Sequence, residues 1–250
     1  MSDESLTQVV EGVHRYADGL VNWYLIEDGG ELTLVDAGWP RSWGRVQAAV
    51  GQLGHPITAI VLTHAHPDHL GAAEPARKAT GAPVHVHRDE VARAHGDAKG
   101  SSPFTLVPSL LPTLWQPTAL GFVLHAAARG FMTPTWVSDV TPFASHEQLD
   151  VPGRPWAIPT PGHTAGHVSL HLPQRGVVIT GDALATLDVL TRATGSRLMP
   201  DALNSDPAQT RASLDALTGL DAGTLLPGHG DPFGGSPADA VAQARERDTA

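Results

Sequence analysis

Apolar and polar positions alternate along this chain in patterns that separate strands from helices. Asn22-Trp23-Tyr24-Leu25-Ile26 and Leu32-Thr33-Leu34-Val35 are strand-like runs on either side of Asp28-Gly29-Gly30, a turn sequence that tolerates positive φ; together they predict a hairpin. Trp43, Val46, Val50 and Leu53 recur at helical spacing and predict a helix over 42–53. The largely apolar run Ile57 to Leu62 predicts a buried strand, followed by a helix from about Asp68 to Lys78, ahead of Gly81, and a strand over 83–87. The last hundred residues repeat this alternation. Trp156 to Ile158 is a short strand, and Val168–Leu172 and Val177–Thr180 flank the turn Pro173 to Gly176. A helix over 207–217 is capped by Asp206 with Pro207 at its first position, a strand covers 224–226, and Ser236-Pro237 opens a final helix to the C-terminus.

Between about Gly96 and Phe143 the pattern changes. Prolines at 103, 108, 112, 117, 134 and 142 interrupt a stretch rich in large apolar residues, among them Phe104, Leu106, Leu110, Leu111, Leu114, Trp115, Phe122, Leu124, Phe131, Met132 and Trp136. Short broken helices suit this insert, with Leu120 to Arg129 the best helical candidate. So much apolar surface is either extra core or a lid and interface over an active site.

Composition narrows the function. A chain of 250 residues, 41% hydrophobic, suits one large globular domain, 1–250, containing the insert. Lys+Arg 16 against Asp+Glu 26 gives a net charge of −10 and no basic run, which argues against nucleic acid as a partner. No stretch approaches the ~20 apolar residues of a membrane span, and the acidic Met1–Ser5 start leads into no apolar region, so a cytoplasmic protein is expected. The absence of cysteine excludes disulfides, thiolate ligands and a cysteine nucleophile; any metal must be held by His, Asp or Glu.

Such residues gather directly after the strand at 57–62. Thr63-His64-Ala65-His66-Pro67-Asp68-His69-Leu70-Gly71 packs three imidazoles and a carboxylate into six positions, the donors that borderline divalent metals such as zinc prefer. Asp36, His163, Asp182 and His229 also follow the C-terminal ends of apolar strands, each within two residues of a Gly. Strand ends of this kind converge on one sheet edge, where α/β folds gather their chemistry.

With these residues the chain resembles the metallo-β-lactamase fold superfamily. Its His-x-His-x-Asp-His motif stands here at 64–69, and its later motifs as Pro161-Gly162-His163-Thr164, Gly181-Asp182-Ala183 and Pro227-Gly228-His229-Gly230. The resemblance implies an α/β fold, an αββα four-layer sandwich, here with an apolar and partly helical insert. It also implies two divalent metal ions, zinc first and iron or manganese as alternatives. His64, His66 and His163 would hold one ion, and Asp68, His69 and His229 the other. Asp182 would bridge them, with Asp36 orienting the ligand loop from behind. Such a centre gives a bridging hydroxide near neutral pH and polarises a carbonyl. Asp68 is the candidate catalytic residue, orienting the hydroxide and passing a proton to the leaving group. By the same resemblance His167 stands behind the ligands. His85 and His87 share a strand face, and His125 and His146 are candidates to line a pocket.

The superfamily hosts many reactions, so the fold alone does not choose among them. Only 21 residues follow His229, too few for the glutathione-holding domain of glyoxalase II-like thioesterases. Lactonases of the family match the ligand set but usually place a tyrosine near the metals. Here both tyrosines, Tyr16 and Tyr24, fall in the N-terminal hairpin region. The expectation is a hydrolase acting on an ester, thioester or lactone of a small, hydrophobic or acyl-bearing substrate. The alternatives are a β-lactam or phosphoester hydrolase and, from another class, a mononuclear iron persulfide dioxygenase using His64, His163 and Asp182. A homodimer through the insert is a further expectation.

Overall fold

The computed structural model describes residues 4–98, 108 and 110–248. Pro103, Phe104 and Leu106 of the insert, and the first three and last two residues of the chain, lie outside the described residues. Seven strands form the first sheet in the order β1 (Leu6–Val10), β2 (Val13–Asp18), β3 (Val21–Asp28), β4 (Glu31–Val35), β5 (Ile57–Val61), β6 (Val84–His87) and β7 (Thr141–Phe143). The first four pair antiparallel and the last four parallel, through α1 (Trp43–Leu53) and α2 (Ala73–Thr80). The short helix α3 (Val91–Ala94) and the insert helix α4 (Pro117–Ala128) separate β6 from β7.

The second sheet holds β8 (Trp156–Pro159), β9 (Val168–Leu172), β10 (Val177–Gly181), β13 (Thr224–Pro227) and β14 (Phe233–Gly234). A separate hairpin, β11 (Ala185–Leu187) with β12 (Thr194–Arg197), follows β10. The helices α5 (Pro207–Ser213), α6 (Asp215–Thr218) and α7 (Pro237–Asp248) complete the chain.

The side-chain period of two along each strand builds the layers. On β3, Trp23 and Leu25 face α1 and α2, while Tyr24 and Ile26 face the second sheet. On β10, Val177 and Ile179 meet them there, while Val178 points outward to Leu214, Val241 and Ala244 of the C-terminal helical layer. Helix, sheet, sheet, helix is the αββα sandwich the sequence implies.

Three local expectations are corrected. The helix after the histidine cluster starts at Ala73, not near Asp68. Over 69–72 the backbone bonds to the Ala37–Gly38 turn instead: Ala37 N–H to His69 O (2.6 Å), Gly71 N–H to Gly38 O (3.0 Å) and Ala72 N–H to Ala37 O (3.3 Å). The helix expected over 207–217 divides at Leu214, where the Ser213 hydroxyl turns back onto the Thr210 carbonyl. The insert helix runs Pro117–Ala128, three residues earlier than its apolar pattern suggests, because Pro117 opens it. Strands β1, β2, β7, β11, β12 and β14 are additions that short or mixed patterns do not reveal.

The insert packs as its own apolar cluster. Leu110, Ala119, Phe122, Ala126 and Phe131 meet Val21, Trp39, Ala185, Val189, Met199 and Leu203. Its far end is held by charge: Arg129 pairs with buried Asp18 and with Glu4, and Asp18 also accepts from Ser42 and faces Arg45.

Candidate metal centre

All seven predicted ligand residues converge on one edge, between the two sheets. Asp36 ends β4, and the 63–69 turn follows β5 of the first sheet. His163 follows β8, Asp182 follows β10 and His229 follows β13 of the second. Three sets of donor atoms lie within 4.8 Å of one another: His64/His66/His163, His64/His69/Asp182 and Asp68/His69/His229. Asp182 stands between them. Its Oδ2 lies 3.2 Å from His229 Nε2, 3.3 Å from His163 Nε2 and 3.9 Å from His64 Nε2, and its Oδ1 is 3.4 Å from His69 Nε2. Asp68 Oδ2 is 3.6 Å from His229 Nε2 and 3.9 Å from His69 Nε2. Two donors bound tetrahedrally at ~2.0–2.1 Å from one ion stand about 3.3 Å apart, so these gaps are the size a shared ion needs.

The ring partners fix which nitrogen faces inward. Outer Nδ1 atoms are spoken for: His64 by Thr63 Oγ1 (3.1 Å), His69 by Asp36 Oδ2 (2.9 Å), His163 by Asn204 Oδ1 (2.9 Å) and His229 by the Leu20 carbonyl (2.5 Å). This leaves Nε2 pointing at the centre. His66 is turned the other way, with Nδ1 2.9 Å from His163 Nε2. His64 Nε2, His69 Nε2 and Asp182 Oδ1 are buried with no hydrogen-bond partner. Buried polar atoms normally have partners, so three orphans in one cluster fit a place built for divalent cations.

Electrostatics agree. Burial, then the neighbouring imidazoles His69 and His163, hold His64 well below the usual histidine range, and burial also depresses His66 and His163. Burial opposes charge on His69 and His229 too, but Asp182 and Asp68 outweigh it and raise both. Asp182 is buried, yet His229 and His69 hold it well below the usual carboxylate range.

Backing residues now come into view, Asp36 and His167 as the resemblance implies and others that sequence reasoning missed. The Asp36 carboxylate accepts from Thr63 N–H and Thr63 Oγ1 as well as His69. The His229 loop hangs from β3: Asn22 Nδ2 donates to Pro227 O and Gly230 O, and Tyr24 Oη to Pro227 O. Tyr24 is thus two residues from His229 in contact terms, but its hydroxyl is spent on backbone. His167 Nε2 accepts from Asp182 N–H and its Nδ1 faces Thr160 Oγ1, with burial pushing it down to about 3. Gly228 is required by space, since a Cβ there would stand 2.2 Å from Asp182 Oδ1. Apart from Asp36, His167 and the motif glycine Gly228, none of these partners has a sequence signal beyond its proximity to a strand end. The remaining histidines stay apart: His87 bonds Ser145 Oγ, His125 packs edge-on to Trp39, His146 is exposed, and His85 belongs to none of the three donor sets.

Comparison with known proteins bears out the resemblance. The model of the metallo-beta-lactamase superfamily matches residues 16–229. The probable metallo-hydrolase YflN of Bacillus subtilis is 31% identical over 91% of this chain and 87% of its own length. A hydroxyacylglutathione hydrolase of Cereibacter sphaeroides is 30% identical over 66% of this chain, which spans about half (48%) of that relative. The crystal structure of TTHA1623 in a di-iron-bound form superposes with a TM-score of 0.62 at 26% identity, covering 92% of this chain and 96% of that one. The chain belongs to the metallo-β-lactamase superfamily, as a metal-dependent hydrolase. No helix among the described residues is long and apolar enough to cross a membrane.

Proposed function

We propose that the chain is a dinuclear hydrolase cleaving a carboxylic ester, thioester or lactone whose acyl part is apolar. One observation carries the reading: Asp182 lies between two separate donor sets, each with inward-facing atoms that the protein itself leaves unpaired. His64, His66 and His163 would hold one ion, Asp68, His69 and His229 the other, with Asp182 shared. When bound, two such ions acidify water and polarise a carbonyl oxygen. Zinc suits a donor set of imidazole and carboxylate, and the di-iron relative makes iron the alternative, as a bound pair.

The chain's own residues supply the rest. Asp68 is placed to orient the attacking water and hand a proton to the leaving group. Asp68→Asn is expected to lower kcat by about 10²–10⁴-fold, and undiminished turnover with both metals bound would remove that role. The insert stands beside the centre, because its partners Val21 and Met199 adjoin Leu20, which holds His229, and Asn204, which holds His163. Leu111, Trp115, Leu120 and Leu124 of the insert are exposed. We assign them to the acyl group of the substrate, as a lid. A dimer through this face would instead appear as a concentration-dependent mass in sedimentation.

The hydroxyacylglutathione hydrolase relative supports including thioesters, and the apolar insert supports an acyl substrate. The persulfide dioxygenase alternative needs only His64, His163 and Asp182. It leaves Asp68, His69 and His229 without a purpose. Metal analysis with a panel of p-nitrophenyl esters, lactones, thioesters, β-lactams and phosphoesters tests the reading. About two metals per chain with carbonyl hydrolysis is expected. One iron per chain with oxygen consumption overturns it.

A further inference from the structure

Glu90 carries no chemistry in the reading above, yet its carboxylate is almost fully buried beside the centre, at 1% exposure. It sits on the short turn Arg88–Glu90 after β6 and spends each oxygen on a different ligand loop. Oε2 accepts Ala65 N–H and Oε1 accepts Gly166 N–H, both at 2.9 Å. Ala65 lies between His64 and His66 on the loop from the first sheet. Gly166 lies between His163 and His167 on the loop from the second. One carboxylate thus spans the two sheets beneath the three histidines of a single donor set. Charge-assisted bonds of this kind are short and strong, and the nearest cation, Arg93, stands off at 3.8 Å without competing for them.

The approach is close enough to dictate sequence. A Cβ on Gly166 would lie 2.9 Å from both Glu90 N and Glu90 Cγ. The 2.9 Å gap from His66 Nδ1 to His163 Nε2 in the three-histidine set runs between the same two loops. The His229 side of the other donor set hangs from different supports, Leu20, Asn22 and Tyr24, while Asp36 braces both His69 and, through Thr63, His64. None of these touches Glu90.

We propose that Glu90 is a positioning residue that sets the spacing of the His64/His66/His163 metal position and leaves the Asp68/His69/His229 position unaffected. The inference rests on the dinuclear reading. Gln at 90 keeps one acceptor oxygen but turns an NH₂ toward the other amide, so one loop is released.

Zinc titration of the metal-free protein against a chelator tests this, with folding followed by circular dichroism. Wild type should take two equivalents. Glu90→Gln should keep one at wild-type affinity and lose about 10–100-fold at the other, as loss of an outer partner to metal ligands typically does. Asn22→Ala, which releases the His229 loop from Pro227 O and Gly230 O, should weaken the opposite equivalent, so the double variant should lose both tight sites. A double variant that retains one tight site places both residues on the same ion and overturns the proposal. So does a Glu90→Gln variant that weakens both equivalents alike, or neither. If Glu90→Gln fails to fold, Gly166→Ala pushes the same loops apart and must give the same selective loss; wild-type affinity at both positions refutes the assignment. A wild-type stoichiometry of one refutes the dinuclear reading itself, and this inference with it.

Discussion

At Asp36 the backbone and the chemistry make opposing demands on one residue. Its φ of 54° lies in the left-handed region that side chains other than glycine rarely adopt, while its carboxylate must reach Thr63 and His69 together. Asp and Asn tolerate that conformation better than most residues, so the two substitutions should separate the demands. Asp36→Asn is expected to fold with little loss of stability but to bind its metal about 10–100-fold more weakly. Asp36→Ala should add a conformational penalty of about 1–2 kcal/mol, visible as a lower midpoint in chemical denaturation of the metal-free protein. His167 poses a simpler test: held neutral by burial, it is the acceptor for the Asp182 amide, so His167→Phe strands that N–H and should cost about 1–3 kcal/mol in the same assay. The candidate ligand residues were legible, since His64 to His69 share one turn and the others each follow a strand. Glu90, Asn204 and Asn22 were not, because each acts through a hydrogen bond between segments far apart in sequence, and no local pattern encodes it.

Helix α2 illustrates what holds an element when its start is diverted. Having lost its first expected turn to the Ala37–Gly38 backbone, it is tied at Glu74, which accepts from Arg77 and from the Ser138 hydroxyl and amide ahead of β7, with Lys78 at 3.2 Å. The Arg77 hydrogen bonds, working against burial, hold the Glu74 carboxyl down at about 2, against 4.5 for the free group. A depressed carboxyl contributes its stability above the unfolded value and loses it as pH falls through the folded one. Glu74→Gln should therefore lower the melting temperature at pH 7, and the gap from wild type should close as pH falls from about 4.5 to 2. Periodicity located the cores of α1, α2, α4 and α7, yet it missed the mixed strands β1 and β2 and the place where tertiary bonds cut a helix short. It also passed over β7 and β14, whose three and two residues are too few for a period to register.

Across the whole molecule, the hairpin, the parallel crossovers and the second set of strands made the α/β layering legible before any contact was known. What the sequence could not display was that the two sheets meet at the ends that carry the candidate ligands, where six of those seven residues are nine-tenths buried or more. Stripping metal should accordingly lower the melting temperature, and restoring it at 100 times the dissociation constant should return about 2.7 kcal/mol per ion, provided the unfolded chain binds none. A melt series against free zinc measures this directly; a midpoint indifferent to zinc would sever the centre from the fold. The bond from His229 to the Leu20 carbonyl has a further consequence, one of time. It joins residues 209 positions apart, and contacts of such separation close late because the intervening loop must first give up its freedom. The centre is therefore finished only when β13 has docked against its sheet. Metal uptake during refolding should trail the burial of Trp23, which makes the ion a signal that assembly is done rather than a seed from which it begins.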